Sequence, residues 1–563
     1  MIYHCEDHTC NYWDEGEKLP ERCPQCGRKL LRANEADMTG DDWTALGITL
    51  WDAEASDKKR MVDCFRKAAY LGSAWGVCNL GICMEQGNGV EADPVQAFWL
   101  YQQAVEMGSL NAVCCLGVCY EYGIGTAPDA EKAAELYCKA AEYGSPRGQM
   151  LLARAFHDGI GVEADAAEAV YWVRAAAYQR YGEGMYRLGV CYEYGDGVEQ
   201  NWEHAVHWFR EAAESGVSVA MAVLGYCYEK GCGVEQSWEQ AFSWYRRGAE
   251  CGNLQSMHNL GLCYEKGCGV EQSWEQAFSW YRRGAECGYP VSMGNLGWCY
   301  KKGYGVEQNW QEAVKWYEQG AQCGNLQSMH SLAYCYERGE GVKQNMTEAI
   351  RWYTAAAEGG NADAMHNLGW HYDYGEGVEQ DMKKAICWYE RAAEQNHPAA
   401  MNSLGECYAM GLGVPRDLET AMEWYRRAAE LGEAMADYNM GWHLEQAGKL
   451  SEAYAHYRKA ADGNDDSAWW ALGRFYENGV VVAQDGKEAR RCYETGEKLG
   501  SVKCKMRLAR CKLLGIGGRR AKKAGLDLCR QALELAKESS EKEDYGYEAE
   551  MNLLRRTIAE NES

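Results

Sequence analysis

Apolar positions in this chain recur on two scales, a helical one within short segments and a longer one of 36 residues. A Leu, usually followed by Gly, returns at Leu80, Leu116, Leu152, Leu188, Leu224, Leu260, Leu296, Leu332, Leu368 and Leu404, and Met440 takes the next place. Weaker copies at Leu46, Leu472 and Leu508 bring the count to about fourteen units. Around each anchor the spacing predicts a helix, as in SVAMAVLGYCYEKG around Leu224. Two glycines follow, seven and nine residues past the anchor, as at Gly231 and Gly233, and predict a helix stop and a tight loop. Thirteen residues past the anchor stands a helix-capping type: Asp93, Asp129, Asp165, Asn201, Ser237, Ser273, Asn309, Asn345, Asp381 or Asp417. A second helix follows, reading A-x-x-W-Y-x-x-A-A-E, and closes on a Gly in most units, with Arg180 and Asn396 as exceptions. One such pair cannot bury its faces alone, whereas a stack buries a continuous core. The expected fold is therefore all-α: a right-handed superhelical α/α solenoid of about 14 helix pairs over residues 41–536, with a charged helix or tail at 537–563.

The string LGxCYExGxGVEQ-N/S/D-xxxAxxWYxxAAExG resembles the Sel1 repeat, a branch of the TPR-like helical repeats. The resemblance implies a non-catalytic scaffold or adaptor for protein complexes and no catalytic residues. Bacterial proteins resembling this one also serve in host interaction, including binding of immunoglobulin A. Some cysteine-rich relatives carry a suggested β-lactamase-like activity. No nucleophile–base motif is legible here, and the paired cysteines of those relatives are absent.

The first thirty residues break the pattern. Cys5, Cys10, Cys23 and Cys26 form C-x4-C-x12-C-x2-C, two close pairs suited to one tetrahedral metal ion. Residues 1–31 have almost no apolar core, so a structural zinc would supply most of their folding energy, and 32–40 reads as a linker. The segment resembles a rubredoxin-like zinc ribbon through YxC…CPxCG. Its first pair is wider than in rubredoxins, which favours one structural zinc per chain over redox iron.

Composition and charge narrow the function. The net charge of −25 argues against nucleic acid and against anionic membranes as main partners. Neither a long apolar run nor a basic-then-apolar start is present, and a reducing cytoplasmic setting is the expectation. There are 38 Tyr and 22 Trp against 7 Phe, a choice suited to half-buried positions. Cysteines at the third place past the anchor, such as Cys83, Cys119 and Cys227, read as small buried side chains, too far apart between stacked helices for a disulfide ladder. Trp208, Trp244, Trp280, Trp316, Trp352, Trp388 and Trp424 read as packing between second helices. Glu121, Glu193, Glu229, Glu265 and Glu337 read as a solvated face, or as an acidic strip that would steer a basic partner. Residues just before the anchor vary inside otherwise copied units. There His258, Asn259, His330, His366 and Asn367 are the candidate polar floor of a concave face that receives a protein or peptide.

Overall fold

The computed structural model describes residues 2–5, 13–15, 30–32, 37–51, 55–542 and 547–562. Three short antiparallel strands, Ile2–Cys5, Trp13–Glu15 and Leu30–Arg32, form a sheet with the first strand in the middle. Among the described residues 29 α-helices follow, and all of the repeat array is helical. The chain divides into two units, Met1–Cys287 and Gly288–Ser563.

Within each unit the repeats are built as their capping residues dictate. The first helix of one repeat, Ser218–Lys230, ends on Gly231 at φ 74°. Gly233, at φ 68°, lies so near the carbonyl of Trp202 that a Cβ would sit 2.3 Å from its oxygen. The first glycine thus stops the helix, and the second lets the loop lean on the preceding repeat. The second helix, Trp238–Glu250, starts at Ser237, whose hydroxyl accepts from the backbone N–H of Gln240. All ten capping residues read from the sequence accept such a bond. The two exceptions at the closing turn, Arg180 and Asn396, adopt left-handed φ of 59° and 61°, the conformation glycine supplies elsewhere.

The core of most repeats centres on the tyrosine that follows the Trp position. Tyr101, Tyr137, Tyr245 and Tyr281 in the first unit, and Tyr317, Tyr353, Tyr389, Tyr425, Tyr457 and Tyr493 in the second, are among the largest fully buried side chains. Each such ring is worth about 1.5–3 kcal/mol of burial. The Gly after the Leu anchor makes room for it: a Cβ on Gly225 would meet the Tyr245 ring at 2.5 Å. The tryptophans are less buried than a packing role predicts. Apart from Trp244 they are half-buried, and Arg391 and Arg427 lie 4.3 and 4.5 Å over the rings of Trp388 and Trp424.

Some neighbouring first helices touch directly, for example Leu110–Tyr122 with Pro146–Asp158 in the first unit and Asp466–Asn478 with Val502–Leu514 in the second. Contacts of that extent do not occur between neighbouring second helices among the described residues. At the C-terminal end the helix Glu548–Glu562 packs on Val502–Leu514 through Met551 and Leu554. Arg507 holds Glu550 there with two hydrogen bonds of 2.6 and 2.7 Å, so packing continues past residue 536.

Candidate functional site

Of the proposed zinc ligands, Cys10, Cys23 and Cys26 lie outside the described residues, and Cys5 ends the first strand with its side chain undescribed. Every cysteine whose side chain is described is a free thiol. Most of those three places past the anchor are buried, and burial pushes thiols such as Cys227 up to about 12.

The five polar candidates lie on first helices. His258, His330 and His366 each set the imidazole against the tyrosine of their own repeat, with centroids 5.7 Å from Tyr281, Tyr353 and Tyr389. His258 is only 8% exposed, and burial pushes it down to about 4. His366 is pushed to about 4 by burial as well, and His330 is lowered by the same cause. Asn259 lies beside the hydroxyl of Tyr245, and Asn367 beside that of Tyr353, both in the preceding repeat. In the second unit these contacts join into rungs between successive first helices. Asn367 Nδ2 lies 3.0 Å from His330 Nε2, Ser403 Oγ lies 3.4 Å from His366 Nε2, and Asn439 Nδ2 donates to Asn402 Oδ1 at 3.0 Å. His366 also stacks on His397 at 5.1 Å. The structure therefore brings His330 and Asn367 together and places His366 on the next rung. His258 and Asn259 belong to the first unit.

The carboxylates read as a solvated or acidic strip have a different employment. Tyr137 donates to Glu121 at 2.6 Å, Tyr245 to Glu229 at 2.8 Å, Tyr281 to Glu265 at 2.6 Å and Tyr353 to Glu337 at 2.7 Å. Where the next repeat carries an Arg two residues past its anchor, a triad closes. Arg154 donates to Glu121 at 2.5 Å, Arg474 to Glu445 at 2.9 Å, and Arg510 to Glu477. Glu193 is the exception, because Phe209 occupies the tyrosine place of its repeat; burial raises its carboxyl, with a Tyr194 hydrogen bond opposing. The sequence signal for these triads was present in the tyrosines at the 36-residue step, one place after the tryptophans, but pairing with an acid sixteen residues earlier is visible only across two packed helices. Among the described residues no three His, Cys, Asp or Glu side chains gather as metal ligands, and no helix is long and apolar enough to cross a membrane.

The Sel1 repeat model matches twelve segments, 76–109, 112–145, 146–181, 182–217, 218–253, 254–289, 290–325, 326–361, 362–397, 398–433, 434–465 and 468–501. Among solved structures, a protective antigen present in uropathogenic Escherichia coli strains, displaying an SLR fold, is 29% identical, with a TM-score of 0.56 over 76% of this chain and 94% of that one. A Sel1 repeat protein from Oxalobacter formigenes is 31% identical over 43% of this chain and 96% of its own, with a TM-score of 0.39. No curated protein matches the chain. Solenoids of this type commonly act as protein-interaction scaffolds. With matched repeats running from residue 76 to residue 501, the chain belongs to the Sel1 repeat family.

Proposed function

We propose that this protein is a non-catalytic scaffold that binds a protein or peptide along the first-helix side of its repeats. The observation that carries this reading is the close approach of some neighbouring first helices in each unit without matching contact between second helices. Such asymmetry curves a stack of helix pairs with the first helices inside. On that side the His330–Asn367 and His366–Ser403 rungs form a half-buried polar floor in the second unit, and His258 and Asn259 hold the same places in the first. The nearby carboxylates accept from tyrosines and keep their negative charge, so the floor favours a partner that offers hydrogen-bond donors or basic side chains.

The test is a pull-down with the full chain followed by mass spectrometry, repeated with alanine at His258, Asn259, His330, His366 and Asn367. A partner captured by the wild type should lose more than about 2 kcal/mol of affinity on truncation of the central residues. Unchanged affinity, with melting intact, moves the interface to the loops or the second-helix side. A host-interaction role is the second reading, favoured by the likeness to the protective antigen of uropathogenic E. coli. Failure of the purified protein to bind secretory immunoglobulin A would remove its immunoglobulin-binding form. We also propose one structural zinc on Cys5, Cys10, Cys23 and Cys26, supported by their paired spacing.

A further inference from the structure

One repeat of the first unit, residues 146–181, lacks the ring that fills its neighbours. Where they carry Tyr137 and Phe209 it has Val173. The other members of the triad are replaced too. His157 stands in the place of Glu121, and Val190 stands where the arginine of the next repeat would stand, as Arg154 does for Glu121. Ala153 replaces the glycine that seats the ring at Gly117 and Gly189. A half-open pocket of about 620 Å³ lies beside this place, and His157, Val173, Arg187 and Val190 are among the residues that line it. That size falls within the range of about 300–1,000 Å³ typical of small-ligand sites.

Chemistry at its walls is inverted relative to the other repeats. In several other repeats the tyrosine hydroxyl meets a carboxylate, and Asn259 or Asn367, one residue before the next anchor, lies beside the same hydroxyl. Here the residue one place before the next anchor is Arg187, and among the described residues no hydrogen bond or ion pair engages it. His157 is held on both nitrogens, by Asp158 at 2.6 Å and Asp196 at 3.1 Å, so those two acids are already occupied. Arg154 is spent on Glu121 and on the hydroxyl of Tyr122 at 3.0 Å. Arg147, on the same wall, donates to Cys115 Sγ at 3.7 Å, and Glu183 adds one negative charge.

We propose that this cavity binds a phenol-sized aromatic ring bearing a carboxylate, the ring against Val173 and Val190 and the carboxylate on the guanidinium of Arg187. Two sources present that chemistry, a free aromatic carboxylate and the C-terminal aromatic residue of a polypeptide. The pocket stands whether or not a protein lies along the first-helix side.

The test is calorimetric titration of the full chain with N-acetyltyrosine, its C-terminal amide, and a ten-residue peptide ending in tyrosine. The carboxylate should bind, and the amide should bind about tenfold or more weakly, since the charged hydrogen bond to Arg187 is lost. R187A, at an exposed position that leaves the core untouched, should weaken N-acetyltyrosine by a similar factor. V173F, which places the ring of the next repeat in the pocket, should abolish binding. A peptide that binds more tightly than N-acetyltyrosine assigns the pocket to polypeptide termini, and equal affinity assigns it to free carboxylates. The proposal is overturned if no probe binds at millimolar concentration, if the amide binds as well as the acid, or if R187A leaves affinity unchanged.

Discussion

Removing one hydroxyl from the tyrosine ladder tests how the repeats are held together. In Tyr245→Phe the ring stays in its fully buried seat against Gly225, so packing is preserved. The loss is the 2.8 Å bond to Glu229 Oε2. A hydrogen bond to a charged group is worth about 1.5–3 kcal/mol, and a half-buried carboxylate left behind recovers part of that from water, so a cost of about 1–2 kcal/mol is expected. The preceding repeat supplies the reverse experiment. Phe209 stands sixteen residues after Glu193, the same separation as Tyr245 and Glu229, so Phe209→Tyr should offer Glu193 its missing donor and stabilise by about 1 kcal/mol. The pH dependence has a definite sign. Burial raises the Glu193 carboxyl in the folded state, so its destabilising effect is full above the folded-state pKa and fades as the pH falls below the unfolded value. The advantage of Phe209→Tyr over wild type should therefore shrink on acidification. Repeat arrays open in pieces, so the readout is native-state hydrogen exchange over the helices Trp202–Glu214 and Trp238–Glu250, alongside urea unfolding. Changes of the same sign in the two variants, or both below about 0.5 kcal/mol, would refute the reasoning.

Three further outcomes are expected. Val481 is a β-branched residue at φ 63° and 48% exposed, so Val481→Gly should stabilise the second unit by about 1 kcal/mol in thermal melts, and a lowered midpoint would show that its side chain packs productively. His258 is pushed down by burial from 6.5 to about 4, so the first unit should lose stability as the pH falls from about 6.5 to 4, where the unfolded chain binds the proton first. His258→Gln should remove up to about 3 kcal/mol of that loss, and an unchanged acid profile would place the loss elsewhere. Metal analysis of the purified protein should find one zinc per chain, removed by Cys23→Ser with Cys26→Ser; a wild-type chain without zinc would end that proposal.

Much of the architecture was legible because its determinants are local. The capping residue of most second helices and the glycine pair that ends most first helices depend on backbone chemistry within a few residues, and both were readable from spacing alone, whereas the left-handed turn at Arg180 was not. The 36-residue step then made one repeat predict the next. What the pattern could not show was which of two adjacent aromatic positions fills the core. Trp and Tyr recur with the same period, but only helix-on-helix packing turns the Tyr ring onto the anchor glycine and leaves the Trp beneath an arginine. The same packing took Glu121, Glu229, Glu265 and Glu337 from an apparent solvated strip into bonds with buried hydroxyls. It also joined His330 to Asn367, 37 residues apart, and left a half-open pocket where Val173 interrupts the ladder. Local conformational preference therefore set the helices, caps and period of this protein. The partners of its buried polar groups were decided by the approach of neighbouring repeats, because hydrogen bonding and ring packing act over a few ångströms in space and carry no fixed separation along the chain.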